Sequence, residues 1–424
     1  MSSNKKYWKS VGELQKDNSS VVEALKHKEF VQEIPVDEFL GDKKTLEASS
    51  TTRRDFLKYV GFSTAAATLA ACEGPVIKSI PYVVQPDQII PGIANYYATA
   101  IANGFDFASI LVKTREGRPI KIENNDLAST NRGANARVQA SVLDLYDSLR
   151  VAGPKKDGED ISWEDFEAEI AQKLSLLKAN GKDIVLLTQT FASPSTSKLI
   201  SEFKENYGNV RHVVYDSVSE STAIEAYQSL YGERGLANYD FSKVSTIVSV
   251  GADFLGDWQG GGFDSGYAKG RVPKNGKMSR HIQFESNMTL SGANADKRVP
   301  LTPSQQKVAL AKLYGKITGQ SVSGTLPAHL EEAVDKAASE ISKAGSNAVV
   351  VTGIKDVNAQ TVVLAINKTI GSKAFNVKTP IKVRQGDDKA VAKLIADMQS
   401  GKVGALIMSG VNPLYTLPNA SDFS

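Results

Sequence analysis

One thiol and a pair of guanidinium groups set the chemistry this sequence can do. Cys72 is the single cysteine among 424 residues. A lone thiol forms no internal disulfide and no multi-cysteine metal site, so the residue needs another role. It follows Leu69-Ala70-Ala71. Small residues before a cysteine admit a signal peptidase, and the sulfur then takes a lipid. Upstream, Arg53 and Arg54 precede Asp55-Phe56-Leu57-Lys58 and a weakly apolar run from Tyr59 to Ala71. Twin arginine, Phe-Leu-Lys and a soft apolar run make the layout of a twin-arginine export signal. The alternative is a buried helix with a chance cysteine behind it. The run is rich in Ala and Thr and is shorter than the roughly 20 apolar residues a bilayer span needs. A core helix would be more amphipathic and richer in Leu and Ile. Two motifs in register predict export and lipidation at Cys72, although the arginines fall after residue 50 rather than near Met1.

The rest of the chain offers little reactive chemistry. His27, His212, His281 and His329 lie far apart without ligand spacing, which argues against a histidine zinc site and for surface or capped residues. There is no G-x-S-x-G elbow and no cysteine–histidine pair. Paired carboxylates stay open, because sequence alone does not pair them. A net charge of +3 gives no reason to expect nucleic acid. Hydrophobic residues at 41% and charged residues at 23% are those of a globular protein, and the length allows two or three domains.

The elements that would position these residues follow a clear order. Residues 1–50 are polar, with a short apolar stripe at Tyr7, Trp8, Val11 and Leu14. Alone, such a helix is marginal, so the segment reads as a docking arm or a disordered tail. Residues 51–72 are the signal and lipobox. Residues 73–92 carry Pro75, Pro81, Pro86 and Pro91, which favour an extended tether. Residues 93–150 read as a small β-rich unit. Its strands are Ser109–Lys113 and Pro119–Glu123, joined by the turn Arg115–Arg118, with a helix over Ala140–Leu149.

From 151 to 424 helix and strand alternate. Ser162 should cap a helix to about Ala179, and Ser193-Pro194 should open the next. Strands are predicted at Asp183–Thr190, Val210–Asp216, Val244–Ala252, His281–Glu285, Asn347–Gly353 and Gly404–Gly410. Further helices are predicted over Ser219–Tyr231 and near 304–318, 327–344, 356–370 and 388–400. The rhythm predicts doubly wound α/β layers with a mainly parallel sheet. Ligands in such folds sit beyond the strand carboxyl ends. Loops there at Gly251-Ala252-Asp253 with Gly260-Gly261-Gly262, at Gly353 and at Gly410-Val411-Asn412-Pro413 are either turns or phosphate cradles. No P-loop or GxGxxG follows a strand. Arg271, Lys274 and Lys277 are the basic residues that would serve such phosphates.

Three groups of residues carry a family resemblance. Ala108–Asp126, Ala140–Arg150 and Ile161–Leu174 are similar to the N-terminal part of molybdopterin oxidoreductases. Glu285-Ser286-Asn287, Gly292–Asp296 and Gly410–Pro413 are similar to runs in that family's α/β domains. The opening Lys6-Tyr7-Trp8-Lys9-Ser10, with Glu13-Leu14, Glu29-Phe30 and the internal signal, resembles the exported molybdopterin-oxidoreductase-like, iron–sulfur subunits of alternative complex III. The resemblance covers nearly the whole chain, and the opening with its late signal is the most specific part.

The resemblance implies a place in a membrane quinol:electron-acceptor oxidoreductase. The implied partners are an integral membrane quinol-binding subunit and multihaem and monohaem cytochrome c subunits. The lipid on Cys72 would hold the chain at the periplasmic face of the bacterial inner membrane. Family members hold an iron–sulfur cluster through cysteines around the first strands. Here residues 93–107 and Asn131–Ala136 have none, so residues 93–150 would be a cluster-less remnant. A cysteine ligand to molybdenum is excluded by count, while serine or aspartate is not. No cofactor is expected in residues 1–424, with a metal-free pterin dinucleotide left open. The resemblance also implies that the chain is the first portion of a longer protein whose later part carries iron–sulfur clusters. Three functions follow: a non-catalytic structural subunit, a molybdopterin enzyme with non-cysteine ligation, and a two-lobed solute-binding lipoprotein.

Overall fold

The computed structural model describes residues 90, 92–103, 106–128 and 133–423. The arm at 1–50, the signal with Arg53, Arg54 and Cys72, and nearly all of the tether at 73–92 lie outside the described residues. The chain divides into two units, residues 1–95 with 115–118, and residues 96–114 with 119–424. In the first, the Ile93 N–H donates to the Ile90 carbonyl at 3.0 Å. Glu116 and Gly117 there take φ of 51° and 78°, a two-residue hairpin geometry within the turn predicted over Arg115–Arg118.

The second unit opens with a three-stranded sheet in the order β1 (Asn95–Asn103), β2 (Asp106–Arg115), β3 (Arg118–Asn124). Ala108, Ile110, Ile122, Ala134 and Val138 form its core. The helix expected over Ala140–Leu149 is instead α1 (Ala136–Ala140) running into a 3-10 turn at Ser141–Tyr146. Asn135 moves the start forward, because its side chain accepts the Val138 N–H at 3.0 Å. Asp147 stops the run by accepting the Leu149 N–H at 2.8 Å. A short hairpin follows, β4 (Lys155–Lys156) with β5 (Glu159–Asp160).

Downstream, helices and strands alternate. In chain order they are α2 (Trp163–Ala179), β6 (Asp183–Thr188), α3 (Pro194–Tyr207), β7 (Val210–Val214), α4 (Ser221–Tyr231), β8 (Leu236–Tyr239), β9 (Thr246–Val250), α5 (Asp264–Arg271), β10 (Arg280–Glu285), α6 (Leu290–Ala293), β11 (Lys297–Pro300), α7 (Pro303–Thr318), α8 (Ala328–Ala344), β12 (Ala348–Thr352), α9 (Val357–Thr369), β13 (Phe375–Ile381), α10 (Asp388–Gln399), β14 (Val403–Ser409) and α11 (Pro413–Thr416). The helices begin where the sequence provides caps. Ser162 accepts the Asp165 N–H at 3.0 Å, and Ser193 caps α3 behind Pro194. Thr302 and Gln305 form a reciprocal capping box at the start of α7.

The strands make two parallel sheets. One has the order β14-β6-β7, the other β11-β10-β9-β12. In the second sheet β9 and β12 are buried along their whole length, as parallel strands covered on both faces must be. One face packs Val248, Phe284 and Val350 against Leu310, Val334 and Ile341 of α7 and α8. The other holds an aromatic cluster of Tyr239, Phe241, Phe254, Trp258 and Phe263. The antiparallel pair β13-β8 borders that cluster. The fold is therefore α/β with doubly wound parallel layers, as the rhythm of the sequence predicts.

The outer edge of β12 is closed by side chains. Asn367 donates to the Val350 carbonyl at 2.7 Å and accepts the Val350 N–H at 2.9 Å. The Ser372 hydroxyl donates to the Ala348 carbonyl at 2.6 Å. By contrast, β14 pairs only with β6 among the described residues. Among the described residues no helix is long and apolar enough to cross a membrane.

Candidate functional site

Each parallel sheet has a point where chain order reverses, and α/β folds place ligands beyond the strand ends there. In the second sheet this point lies between β9 and β12. The glycine loops at Gly251 and Gly353 do meet at it. The Gly353 N–H donates to the Val250 carbonyl at 3.0 Å, and a Cβ on Gly353 would fall on the Gly251 carbonyl. The crevice is filled by the chain itself. The Trp258 indole N–H donates to the Thr352 carbonyl at 3.0 Å, and the ring is buried in the aromatic cluster. The Gln360 amide donates to the Ile354 carbonyl at 2.9 Å, and the Gln283 amide donates to the Ala252 carbonyl at 3.2 Å. Backbone carbonyls that a ligand would meet are already bonded to side chains.

In the first sheet the reversal lies between β14 and β6, and here the space is open. A cleft of about 500 Å³ runs over Gln189, Tyr215, Asp216, Gly410 and Asn412 and reaches Asp106 and Arg137. Gly410, with φ of 68°, lets the chain turn above Gln189, where a Cβ would come within 2.7 Å of the amide carbon. The Gly410 loop thus serves a different sheet from the Gly251 and Gly353 loops, so the three do not share one cradle.

The charged groups of this cleft answer one another. Arg137 donates to Asp106 at 2.8 and 2.9 Å and to Asp257 at 2.9 and 2.7 Å. The two carboxylates, Asp106 foremost, hold its guanidinium above its ordinary range. Burial pushes the Asp106 carboxyl up, but the hydrogen bonds from Arg137 and Asn135 outweigh it, so the group titrates below its usual value. Asp216 is buried and accepts four bonds: from the Thr190 N–H at 2.9 Å, the Thr190 hydroxyl at 2.7 Å, the Gln385 N–H at 3.3 Å and the Gly386 N–H at 3.0 Å. Arg384 lies behind, in a hollow that also touches Arg137, Glu220 and Asp257. Burial lowers its pKa, against the pull of Asp216, Asp106 and Glu220.

This cleft does not suit the pterin dinucleotide that the resemblance implies. Its phosphates want cations with free hydrogen-bonding capacity. Among the described residues the one cation lining the cleft is Arg137, bidentate to two carboxylates, while Asp106, Asp144 and Asp216 add negative charge. Among the described residues no group of three or more His, Cys, Asp or Glu side chains is placed to hold a metal.

Arg271, Lys274 and Lys277 stand at the wrong end of the fold to help. Helix α5 carries the chain from the carboxyl end of β9 back to the amino end of β10; Arg271 ends it, and Lys274 and Lys277 follow it. Arg271 pairs with Asp296 at 2.8 Å, and Lys274 and Lys277 close a tight turn through their backbones. His281 is likewise not a surface residue. It is fully buried on β10. Its Nε2 meets the Gln283 Oε1 at 3.0 Å, and the Tyr267 hydroxyl lies 3.3 Å from Nδ1. Because the Gln283 amide nitrogen already donates to Ala252 and Glu285, its oxygen accepts, which makes Nε2 the protonated nitrogen. Burial pushes the imidazole down to about 4. The ladder ends at Glu285, held by Arg298 at 2.5 Å and by the Thr289 hydroxyl at 2.6 Å.

Asp106, Arg137, Asp216, Asp257 and Trp258 escaped the sequence reading. Only Asp216 left a usable signal, since it is the last residue of the predicted strand Val210–Asp216. The Arg137–Asp257 contact joins residues 120 apart, and no local pattern announces it.

Neither protein-family models nor curated proteins match the sequence. Solved structures do. The chain is similar to acetylene hydratase from Pelobacter acetylenicus, with TM-score 0.45 and 16% identity over 64% of this chain and 43% of that one. It is also similar to a chain of the formyltransferase/hydrolase complex from Methylorubrum extorquens, solved with methylofuran, with TM-score 0.37 and 14% identity over 60% of this chain and 69% of that one. The chain thus spans less than half the length of the first of these neighbours.

Proposed function

We propose that this chain is a non-catalytic, lipid-anchored structural portion of a membrane quinol:electron-acceptor oxidoreductase of the alternative complex III kind. Export would run through Arg53 and Arg54 and anchoring through Cys72, at the periplasmic face of the inner membrane. Electron transfer would reside in iron–sulfur clusters and haems carried elsewhere in the assembly. The observation that carries the reading is the cysteine count: the only thiol lies behind Leu69-Ala70-Ala71 in register with a twin-arginine run. No four-cysteine cluster is possible in such a chain. Support comes from the two sheet reversals, one filled by Trp258 and one whose arginine is bound to its own carboxylates.

Anchoring is tested by mass spectrometry of the mature protein. Each buried acyl methylene contributes about 0.8 kcal/mol and one chain is marginal, so Cys72 is expected to carry two or three chains. An unmodified thiol behind an intact Ala71–Cys72 bond would end the anchoring proposal. The non-catalytic reading is tested by elemental analysis of the same protein. Stoichiometric molybdenum, or an iron–sulfur absorption band from residues 1–424, would promote the enzyme in its place.

A further inference from the structure

A separate concavity of about 390 Å³ opens between the β8–β13 pair and the start of α5. Lys243, Lys269 and Lys373 all line it. Lys243 pairs with Asp240 at 3.3 Å. Burial pushes that carboxyl up, but bonds from Ser242 and Lys243 outweigh it and hold it below the ordinary carboxylate range. Asp240 is the single carboxylate in the lining among the described residues, and Asp264 in the first turn of α5 does not line the space. Lys373 reaches the amide oxygen of Asn347 at 3.0 Å. Lys269 has no carboxylate within ion-pair distance among the described residues. The cations therefore outnumber the anion in a recess that concentrates their field.

Donors of a second kind face the same recess. Ser265 and Gly266, in the first turn of α5, line it, and Phe263 at the N-cap supplies no side-chain bond. The helix begins with its first N–H groups uncovered by any cap, beside the lysines. The main cleft is the contrast, because Arg137 there is matched by two carboxylates. We propose that this recess binds a phosphate-type oxyanion, through the ammonium groups of Lys243, Lys269 and Lys373 with the α5 N-terminus in support. The phosphate would belong to a lipid headgroup or to a free phosphate compound. The proposal goes beyond the anchoring reading and would survive an unmodified Cys72.

The test uses the full chain with Cys72→Ser, so that no acyl group masks a headgroup contact. Inorganic phosphate and pyrophosphate are titrated by calorimetry. Co-sedimentation is measured with phosphatidylcholine vesicles, with and without phosphatidic acid. Saturable phosphate binding is expected, weakened about tenfold or more by Lys269→Gln with Lys373→Gln. The exposed pair Lys274→Gln with Lys277→Gln should leave it unchanged. Phosphatidic-acid-dependent sedimentation that inorganic phosphate competes away assigns the headgroup as source, and phosphate binding without sedimentation assigns the free compound. Binding lost equally in both double variants, or no saturable binding in either arm, overturns the proposal.

Discussion

His281 shows how far a single residue can depart from what its sequence context suggests. Standing apart from the other histidines without ligand spacing, it reads in the sequence as a surface or capped residue, yet it is enclosed by Gln283, Tyr267 and Phe254, with the Asp296 carboxylate and Arg271 behind. Its folded pKa of about 4 lies below the ordinary 6.5, so the unfolded chain takes up a proton before the folded one does. Stability from this group is full above pH 6.5 and is lost as pH falls from there toward 4. Between pH 7 and pH 5 wild type should lose about 2 kcal/mol more than His281→Gln. Urea midpoints at the two pH values measure this, and equal losses would contradict the buried neutral imidazole. Asp216 makes a second prediction at this scale. Asp216→Ala leaves the Thr190 and Gly386 N–H groups and the Thr190 hydroxyl without their acceptor and should cost about 3 kcal/mol. Asp216→Asn, which keeps one oxygen, should cost visibly less in the same denaturation experiment.

Elements were legible where their information is local. Ser162 and Ser193-Pro194 announce helix starts, and Val244–Ala252 announces β9, because caps and apolar runs act over a few residues; Thr302 caps α7 in the same way. Thr302→Ala should therefore cost about 1 kcal/mol in thermal unfolding. The strands β1, β8, β11 and β13 went unread. Their residues are mixed in polarity and become strands only through partners such as Tyr239 against Phe375. The glycine loops were placed at the right strand ends, but sequence did not show that Gly353 and Gly410 belong to different sheets. Gly353→Ala tests the closeness of the β9 and β12 loops. The obstruction is backbone, which cannot swing aside, so the variant should lose about 3 kcal/mol. Gly153→Ala, where a Cβ meets nothing within 4 Å, should be tolerated in a parallel measurement.

At the scale of the whole molecule, the proposed export and anchoring rest on Arg53, Arg54 and Cys72, which lie outside the described residues. Twin-arginine routes carry folded cargo, which suits a body with two parallel sheets assembled before translocation. Replacing Arg53 and Arg54 with lysine should keep the protein on the cytoplasmic side, as fractionation would show; normal periplasmic amounts would refute the route. The body itself carries an optical consequence of its filled crevice. The chain has three tryptophans, Trp8, Trp163 and Trp258, of which Trp163 is 60% exposed and Trp258 8%. With Trp8 and Trp163 replaced by phenylalanine, the remaining emission comes from an indole whose N–H is fixed on the Thr352 carbonyl inside an aromatic cage. That emission should be blue-shifted and resist acrylamide quenching. Any molecule that entered between β9 and β12 would have to evict the ring into water, moving the spectrum to the red. The chain therefore reports in its own fluorescence whether this crevice is held by its tryptophan or by a guest.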